Sequence, residues 1–154
     1  MEPVTASVRI KRPRAAVREL IEDLARRSEY LDHFLVDWTI TSDVSQGVGA
    51  SARLLAKGGG TADAALEIET TEITPERIVE QVRSGRRLRR RWRLVYALDE
   101  VSADVTQVTF TLELLEGSIV DQVTWPLTRS HLDRQYARAM LRLKALLEGL
   151  PQPG

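Results

Sequence analysis

Two opposite charges stand on strand faces that are otherwise apolar. Along Arg87–Leu98, Leu88, Arg90, Trp92, Leu94, Tyr96 and Leu98 share one face, while Arg89, Arg91, Arg93, Val95 and Ala97 share the other. The mostly apolar set should look inward, with Arg90 as its odd member. If Ser84-Gly85-Arg86 closes a tight hairpin, Val82 falls opposite Leu88, Glu80 opposite Arg90 and Ile78 opposite Trp92. A Glu80–Arg90 pair beside the Trp92 ring could orient a carbonyl or hydroxyl on an otherwise apolar ligand. The more economical reading is an ion pair at a cavity rim that satisfies itself, because a buried charge without its partner is costly.

Other chemistry is sparse. His33 and His131 are the only histidines and there is no cysteine, so thiolate ligands and disulfides are excluded and a metal site is not expected. Either histidine could serve as a general base only with a substrate proton in reach; a surface or helix-end role is the simpler reading. No Gly-x-Ser-x-Gly elbow, phosphate-binding Gly-Lys-Ser/Thr loop or dinucleotide fingerprint occurs, and Gly58-Gly59-Gly60 reads as a loop. Arginines at 83, 86, 87, 89, 90, 91 and 93 form the strongest charge anomaly. They could touch RNA, yet alternation turns Trp92 away from Arg89, Arg91 and Arg93, so that face has no stacking platform. An outer strand face paired with glutamates such as Glu113 fits better, and zero formal net charge argues against a nucleic-acid partner.

The elements that would position these residues follow from periodicity. Val4–Ile10 alternates as a half-buried strand. After Pro13, Val17, Leu20, Ile21 and Leu24 predict a helix to about Arg27, and Ser28 caps a short second helix over residues 29–34. Val36, Trp38 and Ile40 alternate with Asp37 and Thr39. Gly47 and Gly49 then turn the chain into a strand over residues 51–57. Strands are predicted over residues 64–71, 77–83, 87–98 and 105–115, an antiparallel meander. Residues 118–150 carry a helical pattern through Leu132, Tyr136, Ala139, Met140, Leu143, Leu146 and Leu147, with Pro126 expected to kink it or end a short preceding helix. Residues 1–150 read as one domain and 151–154 as a tail, with 154 residues sufficient for one core. The absence of a signal-like start or a long apolar run leads us to expect a cytoplasmic protein.

This order of strand, two helices, meander and long terminal helix resembles the helix-grip fold of the SRPBCC superfamily, which includes START and birch-pollen-allergen proteins, and its polyketide cyclase/dehydrase-like branch in particular. The matching pieces are Val8-Arg-Ile-Lys-Arg-Pro13, Gly47-Val-Gly49, Thr74-Pro-Glu-Arg-Ile78 and Leu143-Lys-Ala-Leu-Leu-Glu148; Ser28-Glu-Tyr-Leu-Asp-His-Phe34 resembles a segment of the quinone-binding branch. The resemblance implies an α+β fold, a seven-stranded curved antiparallel sheet wrapped around the terminal helix, with a cavity between them for lipids, polyketides or sterols. It also implies that the first half of that helix, with Val123, Leu127 and His131, meets ligand, which makes His131 the better histidine. With strand alternation, the expected ligand-binding set is Trp38, Leu66, Ile68, Glu80, Arg90, Trp92, Leu94, Phe110, Leu112, Val123, Leu127 and His131. The leading expectation is a binder, transporter or sequestering protein for a small hydrophobic molecule, without cofactor, as monomer or homodimer. The alternatives are a polyketide aromatase/cyclase-like enzyme, and an RNA- or ribosome-interacting protein using the arginine strand.

Overall fold

The computed structural model describes residues 2–57 and 64–151; the predicted triple-glycine loop lies outside them. Seven strands, β1 (Val4–Ile10), β2 (Leu35–Ile40), β3 (Ser51–Ala56), β4 (Ala64–Thr74), β5 (Arg77–Ser84), β6 (Arg90–Ser102) and β7 (Val105–Glu116), form one antiparallel sheet. Their order is β1-β7-β6-β5-β4-β3-β2, so the meander from β2 to β7 is extended by β1 at its end. Helices α1 (Arg14–Glu22) and α2 (Ser28–Leu31) lie between β1 and β2, and α3 (Ile119–Glu148) follows β7. This is a helix-grip α+β fold.

Alternation explains the sheet. On β6, Leu94, Tyr96 and Leu98 are buried and Arg93 is exposed; on β7, Val108, Phe110 and Leu112 are buried. The second half of α3 closes this face with Tyr136, Ala139, Met140 and Leu143, all buried. Two rings lock helix to sheet, because Tyr136 stacks on Phe110 at 3.9 Å between centroids and meets Phe34 edge-on at 5.1 Å.

Several local expectations are corrected. The first helix stops at Glu22, where the Asp23 carboxylate accepts from the Ala25 amide and starts a 3-10 turn over Leu24–Arg26. The second ends at Leu31. On β2, a bulge between Val36 and Thr39, with Asp37 at φ 55°, breaks the alternation: Val36 pairs with outward Leu55, whereas Ile40 pairs with inward Ala52. The strand expected from Arg87 begins at Arg90, because Arg86–Leu88 forms a 3-10 turn with Arg87 and Leu88 both at positive φ. Val82 therefore pairs with Trp92, Glu80 with Leu94 and Ile78 with Tyr96. The slip is four residues, an even number, so β6 keeps its inward set while every partner changes.

Helix α3 runs unbroken through Pro126. The expected break does not occur, and contacts on either side of the proline hold the segment. Trp125 is buried against Trp92 and donates to the Glu2 carbonyl at 2.9 Å, and Arg129 pairs with Glu2. Gln122, whose carbonyl loses its helical donor to the proline, is exposed, so water can replace that bond. At the N-terminus, Ser118 accepts from the Asp121 amide and Asp121 accepts from the Ser118 amide, a capping box. Ser118→Ala is expected to cost about 1 kcal/mol in urea unfolding; an unchanged midpoint would mean that the cap is idle.

Candidate functional site

A cavity of about 510 Å³ lies between the sheet and α3. Its wall brings together nine of the predicted residues: Trp38 from β2, Leu66 and Ile68 from β4, Arg90, Trp92 and Leu94 from β6, Leu112 from β7, and Leu127 and His131 from α3. Both wall indoles spend their N–H groups within the protein. Trp38, carried on the β2 bulge, donates to the Leu35 carbonyl at 3.0 Å, and Trp92 donates to Ser84 Oγ at 2.7 Å. They therefore offer the void aromatic surface rather than free donors. Such a wall suits an apolar guest.

Three predicted residues do not belong to this wall. Phe110 is fully buried and fills the core between Tyr96 and Tyr136. Val123 is exposed and does not line the cavity, whereas Leu127, one turn further along α3 and equally exposed, borders it. Glu80 does face inward, but Arg27 claims it before any ligand could. Arg27 Nη1 donates to Glu80 Oε1 at 2.9 Å, Nη2 donates to Oε2, and Nε donates to the Ile21 carbonyl at 2.9 Å. The side chains are 1 % and 0 % exposed.

This bidentate pair replaces the expected Glu80–Arg90 contact and ties the segment between α1 and α2 to the middle of the sheet. Its guanidinium lies 4.9 Å from the Tyr96 ring centroid. Burial alone would lower the Arg27 pKa, but the charge and hydrogen bonds of Glu80 carry it well above the usual arginine value, so it stays charged. Tyr30 Oη, Tyr96 Oη and Thr70 Oγ1 are walled off nearby, the two phenols close enough to influence each other, and none has a well-formed hydrogen bond among the described residues; Thr70 is the β4 neighbour of Glu80. Burial raises the pKa of both tyrosines, Tyr96 more strongly, which keeps them as neutral phenols. Arg90 instead bridges to Asp121 at 2.8 Å, joining β6 to the first turn of α3. Burial would raise the Asp121 carboxyl, but its bonds from Ser118 and Arg90 bring it below the ordinary range.

His33 is not at the cavity. Its Nδ1 accepts from Arg142 at 2.7 Å, so its Nε2–H donates to the Gln135 carbonyl at 3.1 Å. Burial, aided by the positive charge of Arg142, holds its pKa below the usual 6.5. A base whose folded pKa is depressed contributes stability that is complete above its unfolded pKa and is lost as pH falls toward the folded value. Between pH 7.5 and 5.5 the wild type is therefore expected to lose more unfolding free energy than His33→Gln, by a modest margin because the ring is partly solvated. Parallel profiles would contradict this.

The outer face that carries the arginine strand also carries carboxylates. Arg53, Glu67, Arg83, Arg91 and Glu116 follow one another across β3 to β7, with Arg53–Glu67 at 3.1 Å and Arg91–Glu116 at 3.3 Å. A second row sets Glu69, Gln81, Arg93 and Glu113 side by side. Interleaved carboxylates offset the positive field that nucleic-acid binding needs. Among the described residues no cluster of three or more His, Asp or Glu is arranged for a metal, and no helix is long and apolar enough to cross a membrane.

A sheet gripping one long helix, with a cavity between them, gives the chain the helix-grip fold. Among solved structures it is similar to KanY (TM-score 0.77, 14 % identity, 96 % of this chain and 97 % of that one). It is likewise similar to the Zhui aromatase/cyclase from a Streptomyces species (0.73, 12 %, 96 % and 93 %) and to norcoclaurine synthase from Thalictrum (0.72, 11 %, 96 % and 94 %). At these identities the likeness is one of fold. No family profile and no curated protein matches the sequence.

Proposed function

We propose that the protein binds a small, largely apolar molecule, of lipid or polyketide type, in the cavity between the sheet and α3. The observation that carries this reading is the cavity itself: about 510 Å³, walled by Trp38, Trp92 and aliphatic side chains. Apolar burial supplies the affinity, and the few polar groups orient the guest. Carriage or sequestration is favoured over catalysis because no described Asp or Glu lines the cavity, the inward Glu80 being held by Arg27. The second reading, a cyclase-like enzyme, is favoured by one observation, the imidazole of His131 on the wall, and by the aromatase/cyclase named among the fold neighbours.

The test uses Trp38 and Trp92 as reporters. Titrating a panel of fatty acids, sterols and polycyclic aromatic ketones should quench or shift tryptophan emission saturably for at least one class. A panel without any saturable response would overturn the binding reading. Turnover of a bound ketone, abolished by His131→Ala, would move the assignment to the enzyme.

A further inference from the structure

Within the cavity wall, polar groups fall into two sets. Lys57, Arg90, Thr128 and His131 are partly or fully exposed and sit where the cavity meets solvent. Deeper down are Arg27, Ser84, Tyr96 and Tyr136, all buried. The other three are at least partly committed: Arg27 gives three of its N–H groups to Glu80 and Ile21, Ser84 Oγ receives the Trp92 indole and keeps only its own proton to donate, and the Tyr96 hydroxyl is walled off. Tyr136 differs. It is 5 % exposed and makes no hydrogen bond to any described residue, yet its hydroxyl is not among the walled-off atoms, so on a cavity-lining side chain it opens onto the void.

Its ring is also fixed. Phe110 stacks on one face at 3.9 Å with planes 17° apart, and Phe34 packs edge-on at 85°. The hydroxyl therefore points without the entropy cost a mobile side chain would pay on binding. Burial raises its pKa, against a smaller lowering by Arg27, so the group remains a neutral donor.

We propose that Tyr136 is the ligand-orienting donor of this cavity, and that the guest is an apolar, ring-sized molecule carrying a hydrogen-bond-accepting oxygen, such as a ketone, at its buried end. This rests on the binding reading above and specifies its ligand class. A buried donor left unpaired is costly, whereas one paired with a guest oxygen discriminates strongly against the hydrocarbon of the same shape.

The experiment compares 2-acetylnaphthalene with its near-isostere 2-isopropylnaphthalene, by tryptophan quenching, in the wild type and in Tyr136→Phe. The phenylalanine keeps the ring and its stack, and thermal unfolding checks that it does. The ketone should weaken about tenfold in Tyr136→Phe, the net contribution of one buried hydrogen bond, while the hydrocarbon holds its affinity or tightens. Equal affinities of the ketone for both proteins, or an equal loss for both probes, would overturn the role of Tyr136 and leave the cavity reading standing. Failure of both probes to bind the wild type, together with a silent panel, would overturn the binding reading itself.

Discussion

Arg27→Met is expected to destabilise the protein by about 3–5 kcal/mol, because it strands the buried carboxylate of Glu80, whose one ion-pair partner among the described residues is Arg27. Adding Glu80→Leu to that variant should restore most of the loss. Both charges are then gone, and the remaining cost is chiefly the Ile21 carbonyl, which loses the Arg27 Nε donor. Urea unfolding of the two single variants and the double one measures this directly. A cost below about 1 kcal/mol for Arg27→Met would mean that water reaches Glu80, and a double variant no better than the single would mean that the pair does more than neutralise itself. The pair binds no guest in this account. Its work is to lock the segment between α1 and α2 onto β5.

The second large effect concerns the void. Ala56→Trp together with Leu66→Trp puts two indoles on neighbouring strands whose inward positions border the cavity and are only half-buried. Because they enter existing space, the cost of overpacking is limited and the fold should survive. Guest affinity should fall by well over tenfold, since the same volume cannot hold both. Undiminished binding in a folded double variant would place the guest elsewhere on the molecule.

Much of the fold was legible in advance because period-two alternation on β1, β4, β6 and β7, and the three-and-four spacing from Leu132 to Leu147, are properties of the chain alone. What was not legible depends on backbone conformations that side-chain patterns do not report. The Asp37 bulge reversed the outlook of Val36, and the left-handed Arg87 and Leu88 lengthened a turn that looked closed by Ser84-Gly85-Arg86. That even-numbered slip left Trp92 and Leu94 on the inner face but took Glu80 from Arg90.

Arg27 did leave a trace. It lies three residues beyond Leu24 on the apolar stripe of Val17, Leu20, Ile21 and Leu24, just as Glu80 lies between Ile78 and Val82. Two opposite charges, each on an apolar face, are a pairing signal even when their separation in the chain is long. Tyr136 looked like core by its spacing, and most of its ring is; nothing in periodicity distinguishes a phenol whose tip meets a void from one sealed within. Val123 and Leu127, four residues apart, share a helical face in sequence, yet only Leu127 reaches the cavity.

The most direct measurement is native mass spectrometry of the wild type and of the Ala56→Trp, Leu66→Trp variant, each purified from the protein's own host. The account predicts a single apolar, oxygen-bearing compound retained at one per chain by the wild type and missing from the filled variant. A compound carried equally by both, or none on either alongside a silent ligand panel, would contradict it.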